Sequence, residues 1–384
     1  MVPLAEVTFD GVPVAVDDPV NAAILTVSED RVKGFLRDPV GAISERSGVA
    51  PPVVRERIVA MLRAGTIRRV RQTLLATSLA SGALVAWQIA EERLSEAFDF
   101  LAREDPFSGH VVIRTADPST AGARYRLWTT LKVPQGYGLE AYARVLQARI
   151  GADAFKSMPA KKLFALGVGH VRRRGLAPGS RADAPAEVID TNVVALDERE
   201  WQILEALKRE FTPEELESNG ELWAGRAREA NASLDEFLSV ASSFAQRGLI
   251  GRFSTFLEHV KPVAGNGPVT RYNALFHWRV ALGREIDAGR EVGRHHVITH
   301  AYWREGGPEF RDVNVMAVAH GLEKDALLEH KAAIDAHLTE AGIAADYTNV
   351  FWGGRSEIKP SEISPLAFRR FCAANGIDPE VLRA

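Results

Sequence analysis

His110–Arg114 (HVVIR) and His300–Arg304 (HAYWR) keep one His-x-x-x-Arg spacing 190 residues apart, and this repetition restricts the chain to a duplicated unit. Two more pairs hold nearly the same offset. Ala83–Ala90 (ALVAWQIA) reads against Ala274–Ala281 (ALFHWRVA), which sets Trp87 on Trp278, and Gly65–Val70 (GTIRRV) reads against Gly248–Phe253 (GLIGRF). Order and spacing are both conserved between the copies. At 384 residues, and with roughly 100–200 residues per domain, two domains per copy are expected.

Within each copy the apolar spacing predicts a helical segment, a Gly-x-Ile turn and then alternating strands. In the first copy, residues 18–38 read as a helix. Residues 40–65 read as two more, broken at Ser47-Gly48 and restarted at Pro51-Pro52. Followed by Gly65–Arg71 as a wing strand, this is a winged helix. Residues 84–90, 91–104, 109–114, 124–133, 139–150 and 162–170 then read as strand, helix, strand, strand, helix and strand, the ferredoxin-like β-α-β-β-α-β order. The second copy repeats the scheme, with helices over 196–210 and 222–248, a wing strand over 249–256, and β-α-β-β-α-β over 273–352. The fold class is therefore α+β: a duplicated winged helix-turn-helix plus ferredoxin-like domain. Expected boundaries are 1–76 for the first winged helix and 77–175 for the first ferredoxin-like domain. A Gly/Pro-rich linker follows over 176–186, then a second winged helix over 187–265 and a second ferredoxin-like domain with a C-terminal helix over 266–384. The two ferredoxin-like sheets are expected to pack on one another about a pseudo-two-fold axis, an intramolecular dimer open to further homo-oligomerisation.

Composition narrows the function. The net charge of −3 lacks the basic excess that phosphate contacts reward. The second would-be recognition helix carries Asp235 and Glu236, so DNA is not an expected partner, and Arg68, Arg69 and Arg71 are read as pairing with acidic groups or an anionic ligand. No stretch of about 18 apolar residues occurs, and the N-terminal twenty residues lack a basic start followed by an apolar core. The single cysteine, Cys372, fits a reducing compartment and reads as a small core residue. A cytoplasmic protein with no membrane partner is expected.

On a strand, residues two and four apart share a face. His300, Tyr302 and Arg304 therefore line up, as do His110, Val112 and Arg114. His295 and His296, read as neighbours on that strand, would face opposite ways. Trp87 and Trp278 read as core.

A winged helix ending in G-x-I-R-R ahead of a ferredoxin-like domain resembles the Lrp/AsnC regulators. Within that group the H-x-Y-x-R strand of His300, Tyr302 and Arg304 resembles the siroheme decarboxylases of alternative haem and haem d1 biosynthesis, in their fused two-subunit form. Pro159–Phe164 (PAKKLF) resembles the lysine-bearing last strand of one subunit type, and Arg355–Pro360 (RSEIKP) resembles the R-E-x-K stretch closing the other. The sequence departs from the pattern at Val112, where the motif has Tyr, and at Pro360, where a further Lys is common. Asn is missing after both histidines.

The resemblance implies removal of two acetate carboxyls of siroheme as CO2, giving didecarboxysiroheme, with no cofactor beyond the iron tetrapyrrole substrate. Carbanion character left by departing CO2 needs a proton, for which histidine is the fitting donor. His300 is the expected donor, with His110 its counterpart and Tyr302 assisting. Arg304, Arg114, Arg355, Lys162 and Lys359 are expected to bind rim carboxylates. His295 or His296 is expected to line the pocket or contact the iron, with no other metal site. A ligand-sensing transcriptional regulator and a non-catalytic haem or tetrapyrrole binder are the rival readings.

Overall fold

The computed structural model describes residues 7–167, 169–218, 220–259, 261–263 and 267–384. The first six residues, which bear on a leader segment, and Val168, inside the strand expected over 162–170, lie outside that set. The chain divides into two compact units: residues 7–75, 167–174 and 196–271 in one, and 76–166, 175–195 and 272–384 in the other. Among the described residues no helix is long and apolar enough to cross a membrane.

The first unit holds both segments expected to be winged helices. After the short strands β1 (Thr8–Phe9) and β2 (Val12–Pro13) come α1 (Pro19–Ser28), β3 (Val32–Lys33), α2 (Pro39–Ser47), α3 (Pro51–Arg63) and β4 (Ile67–Leu74). Proline supplies the first turn of all three helices, and the Asp18 and Asp38 carboxylates accept from the free N–H groups of the first two. Gly48, at φ 73°, ends α2 in the left-handed conformation that a side chain would resist.

The second repeat comprises α6 (Glu198–Leu207), α7 (Pro213–Glu217), α8 (Ala224–Glu229), α9 (Leu234–Gln246) and β10 (Ile250–Leu257). The intervening helices α4 (Leu94–Arg103) and α5 (Leu139–Ile150), and the five strands β5 to β9 between Ala80 and Leu166, belong to the second unit. Neither wing closes on its own repeat. Instead β4 pairs antiparallel with β10, which pairs with β3 on its other side.

The arginines of α3 are already committed. Arg57 lies 3.2 Å from Asp18, Arg63 lies 2.6 Å from Glu217, and Arg55 donates to the Leu216 and Ser218 carbonyls. On β4, Arg68 donates to the Leu257 carbonyl and Arg69 lies 3.5 Å from Glu210, while Arg71 covers the Phe256 ring. On α9, Glu236 pairs with Arg199 at 2.8 Å.

The second unit contains the ferredoxin-like halves. Its first half is β5 (Ala80–Gln88), α4 (Leu94–Arg103), β6 (Ser108–Thr115), β7 (Tyr125–Pro134), α5 (Leu139–Ile150) and β8 (Ala154–Pro159), followed by β9 (Lys162–Leu166). The second half is β11 (Tyr272–Val280), α10 (Glu285–Gly293), β12 (Ile298–Trp303), β13 (Val315–Gly321), α11 (Lys324–Glu340) and β14 (Ala345–Ile358), with α12 (Pro365–Ala374) after it. The strand expected over 162–170 is not the fourth strand of its own half. That place beside β5 belongs to β8, and β9 instead pairs with β12 of the other half.

The halves are joined edge to edge into one row of nine strands, β8-β5-β7-β6-β14-β11-β13-β12-β9. Because β8 and β9 are separated only by Ala160 and Lys161, the row begins and ends on the same stretch of chain. Strand alternation then sorts the residues. One side of each half packs under its own helices, with Trp87 in one core and Trp278 in the other. The opposite sides share a third apolar cluster, in which Val112, Trp128 and Met158 of the first half meet Leu275, Met316 and Phe351 of the second, together with Phe310. The 176–186 stretch runs along the second half, where Ala182 and Ala186 donate to the Arg294 and Arg290 carbonyls. Helix α12 crosses back to fill the first half's core with Phe368 and Cys372.

Candidate active site

The side of β12 that carries His300, Tyr302 and Arg304 is opposite the side that carries Ala301 and Trp303 into the helix-covered core. The three therefore point to the space shared by the two halves. The His300 and Tyr302 rings stack at 6.2 Å with 9° between planes, and the Arg304 guanidinium lies 4.4 Å over the Tyr302 ring. Arg304 is held by the carbonyl of Met158 on β8. Thr299 donates to the Val318 carbonyl at 3.0 Å, and its oxygen lies 3.1 Å from His300 Nδ1. With the threonine proton committed, its oxygen is placed to accept from His300 Nδ1–H.

The row continues in both directions. Beyond Thr299 lies His320 on β13, at 3.4 Å, whose Nε2 accepts from Asn273 at 2.9 Å. Beyond Arg304 lies Lys132 on β7, close enough for the two cations to repel one another. Burial, and then that repulsion, pushes the Lys132 ammonium down to about 7. Burial also raises the Tyr302 phenol, with Arg304 opposing the shift, and lowers the Arg304 guanidinium. Lys132, Tyr302 and His300 nonetheless keep some accessible surface. These groups are therefore largely withdrawn from water without being sealed off.

The equivalent side of β6 is drier. Val112 lies in the shared apolar cluster, and His110 donates its backbone N–H to Thr130 at 2.8 Å. Arg114 is 4% exposed and donates to the Phe351 carbonyl at 3.4 Å, while its Nε has no hydrogen-bond partner. Burial lowers its guanidinium to about 9. Beside it His277 is fully buried against Phe351 and Trp128, with neither ring nitrogen hydrogen-bonded, and burial followed by Arg114 drives its pKa to about 3.

Residues 79–165 match the model of the AsnC-like ligand binding domain. Across the chain, the structure is similar to the crystal structure of the siroheme decarboxylase NirDL, with a TM-score of 0.63, 18% identity, and coverage of 94% of this chain and 100% of that one. It is similar also to NirDL in co-complex with an iron-uroporphyrin III analogue, with a TM-score of 0.62, 17% identity, and coverage of 93% and 99%. The chain has the Lrp/AsnC-type fold. No curated protein matches it in sequence.

Within this Lrp/AsnC-type fold several expected site residues lie elsewhere. Lys162 stands opposite Trp303 in the β9/β12 pairing and forms an ion pair with Asp190. It sits on the helix-covered side because a register irregularity between Ala301 and Tyr302 sets the phase of the pairing. Arg355 turns outward onto α4, 2.8 Å from Asp99 and 4.1 Å over the Phe98 ring. Lys359 donates to the carbonyls of Leu101 and Asp105 at 3.0 and 2.6 Å.

His295 and His296 are not strand neighbours. Helix α10 runs to Gly293 and both histidines fall in the turn before β12. There His295 is buried edge-on to His337, and His296 Nδ1 lies 3.1 Å from Ser180 Oγ. Lys132, His277 and His320 are not among the expected site residues. Register makes Lys132 and His320 equivalents, since Lys132 pairs with Gly82 and His320 with Asn273, each five residues before its tryptophan. Extending the duplication to β7 and β13 finds both.

Proposed function

We propose that the chain is a siroheme decarboxylase-like enzyme, binding an iron tetrapyrrole in the space between the ferredoxin-like halves and removing acetate carboxyls as CO2. The observation that carries this reading is the inward row of His300, Tyr302 and Arg304, a proton-transfer group and a fixed cation on either side of a phenol ring. Likeness to NirDL, solved with an iron-uroporphyrin III analogue, supports the ligand class.

In this reading Arg304 orients a carboxylate beside the stacked His300 and Tyr302 rings. As the bond between the acetate methylene and its carboxylate breaks, its electron pair stays on the methylene and CO2 leaves. Protonation from His300 Nε2 then completes a methyl group. The step needs one proton and no oxidant. The iron belongs to the substrate, and no further cofactor, DNA target or membrane is invoked. A cytoplasmic location goes with this reading. Commitment of Arg55, Arg57 and Arg63 to partners within the winged-helix unit disfavours the regulator reading.

Anaerobic mixing of the protein with siroheme, followed by mass analysis, tests the proposal. A shift in the visible spectrum and stepwise loss of CO2 are expected. An unshifted spectrum and unchanged mass would overturn it, and a shifted spectrum with unchanged mass would leave a tetrapyrrole binder.

A further inference from the structure

Lys132 comes from near the end of an alternating strand, where a lysine ordinarily faces water. Here the second half covers that side. The side chain runs inward across Gly82 of β5, and a Cβ at position 82 would lie 2.5 Å from its Nζ and 2.6 Å from its Cδ. The missing side chain at Gly82 is what gives the lysine its path. Gly82 also lines a cavity of about 320 Å³ with Thr77, Ser81, Leu139, Pro159 and Val193.

Arg304 is held by the carbonyl of Met158, whose pairing partner Leu84 lies two residues from Gly82 on β5, so the guanidinium sits near the ammonium and acts on it, and no acid does. Among the described residues Lys132 makes no side-chain hydrogen bond, and no carboxylate acts on either Lys132 or Arg304. The partners of Arg304 are a backbone carbonyl and the Tyr302 phenol. Two neighbouring cations withdrawn from water are unfavourable unless an anion joins them.

The equivalent place in the other half differs. His320 is occupied by Asn273 and Thr299, so the paired cations occur on one side of the pseudo-two-fold.

We propose that Lys132 and Arg304 form a subsite for one peripheral carboxylate of the ligand, and that Lys132 selects heavily carboxylated macrocycles over sparsely carboxylated ones. This rests on the tetrapyrrole reading and deepens it. The subsite fixes which edge of an asymmetric ring enters the Arg304 end of the row. An anion there must be met by the protonated lysine, so affinity should fall as pH rises through the point where Lys132 loses its proton in the empty protein.

The test is absorbance titration of the full chain with iron uroporphyrin, an octacarboxylate, and with protohaem, a dicarboxylate, at pH values either side of 7. For the wild type, iron uroporphyrin affinity should fall by up to about tenfold per pH unit above that point and level off near the Lys132→Met affinity, and protohaem affinity should stay flat. Lys132→Met should lose about 10–100-fold at the lower pH, the worth of a charge-assisted hydrogen bond, and the slope should vanish. Lys132→Arg should restore the affinity without the slope, which a merely structural lysine would not do.

Unchanged affinity with the slope retained in Lys132→Met would overturn the proposal. So would a loss in Lys132→Arg equal to that in Lys132→Met. Wild-type protein binding neither porphyrin would instead overturn the tetrapyrrole reading, and the subsite with it.

Discussion

Strands β6 and β12 occupy equivalent places in the two halves and carry the same His-x-x-x-Arg spacing, but their surroundings differ. On β12 a tyrosine links histidine to arginine and the row leads on to Lys132, with side chains that remain reachable. On β6 the middle residue is Val112, part of an apolar cluster, and the row ends at a buried Arg114 beside an unpaired His277. One copy has kept a polar surface while the other has been absorbed into a core. A shared backbone therefore does not imply shared chemistry, because the intervening residue decides whether the row faces a ligand or protein.

The largest expected effect comes from removing the two histidines separately. His300→Ala should lower single-turnover decarboxylation of siroheme by about 10²–10⁴-fold, the usual range for a general acid, whereas His110→Ala should cost far less. Equal losses would mean that the halves work as equivalent sites. Full activity in His300→Ala would take this histidine out of the reaction.

The legibility of this comparison in the sequence was uneven. The motif pairs revealed the duplication, and the tight spacing of His300, Tyr302 and Arg304 placed them on one face, since strand alternation is a local property. What required the tertiary structure was the identity of the covered face. RYRLWTTLKV reads as a strand with one solvated side, and Lys132 becomes an interior residue only because the second half closes over it. Strand β8 (AFKSMP) is not legible in the sequence because its half-buried pattern shows little apolar alternation. The side that Lys162 faces is not legible for a related reason, since a one-residue irregularity in pairing reverses the face of a side chain. Cross-pairing of β4 with β10 depends on both repeats at once, and neither sequence segment carries it alone.

A smaller effect, on stability, should separate His277 from its first-half counterpart Ala86. His277 is fully buried with two unpartnered ring nitrogens and a neighbouring guanidinium. Leaving such groups unpaired costs about 1–3 kcal/mol, so His277→Phe should raise the denaturation midpoint.

The pH dependence carries the same signature. The folded pKa of about 3 lies below the ordinary 6.5, so between those values the unfolded chain takes up a proton that the folded chain refuses. The contribution is therefore full above 6.5 and is lost as pH falls toward 3. His277→Phe should flatten that part of the stability profile. A variant that is less stable and has an unchanged slope would mean that His277 has polar partners and belongs with the working side.

The smallest effects on ligand binding should come from the lysines that face away from both rows. Lys162 is paired with Asp190 on the helix-covered side, and an ion pair of this exposure contributes about 0–1 kcal/mol. Lys162→Ala should therefore leave iron uroporphyrin affinity within about twofold of wild type, a change too small for a lost charge-assisted contact. Lys359 differs in what it holds. It donates to the Leu101 carbonyl in the last turn of α4 and to the Asp105 carbonyl just beyond it, where helix carbonyls lack backbone partners and favour a cation. Lys359→Met should lower stability by about 1 kcal/mol with ligand affinity unchanged. An affinity loss of tenfold or more in either variant, without a matching loss of stability, would place that lysine against the ligand, and the contrast between an inward Lys132 and outward Lys162 and Lys359 would fail.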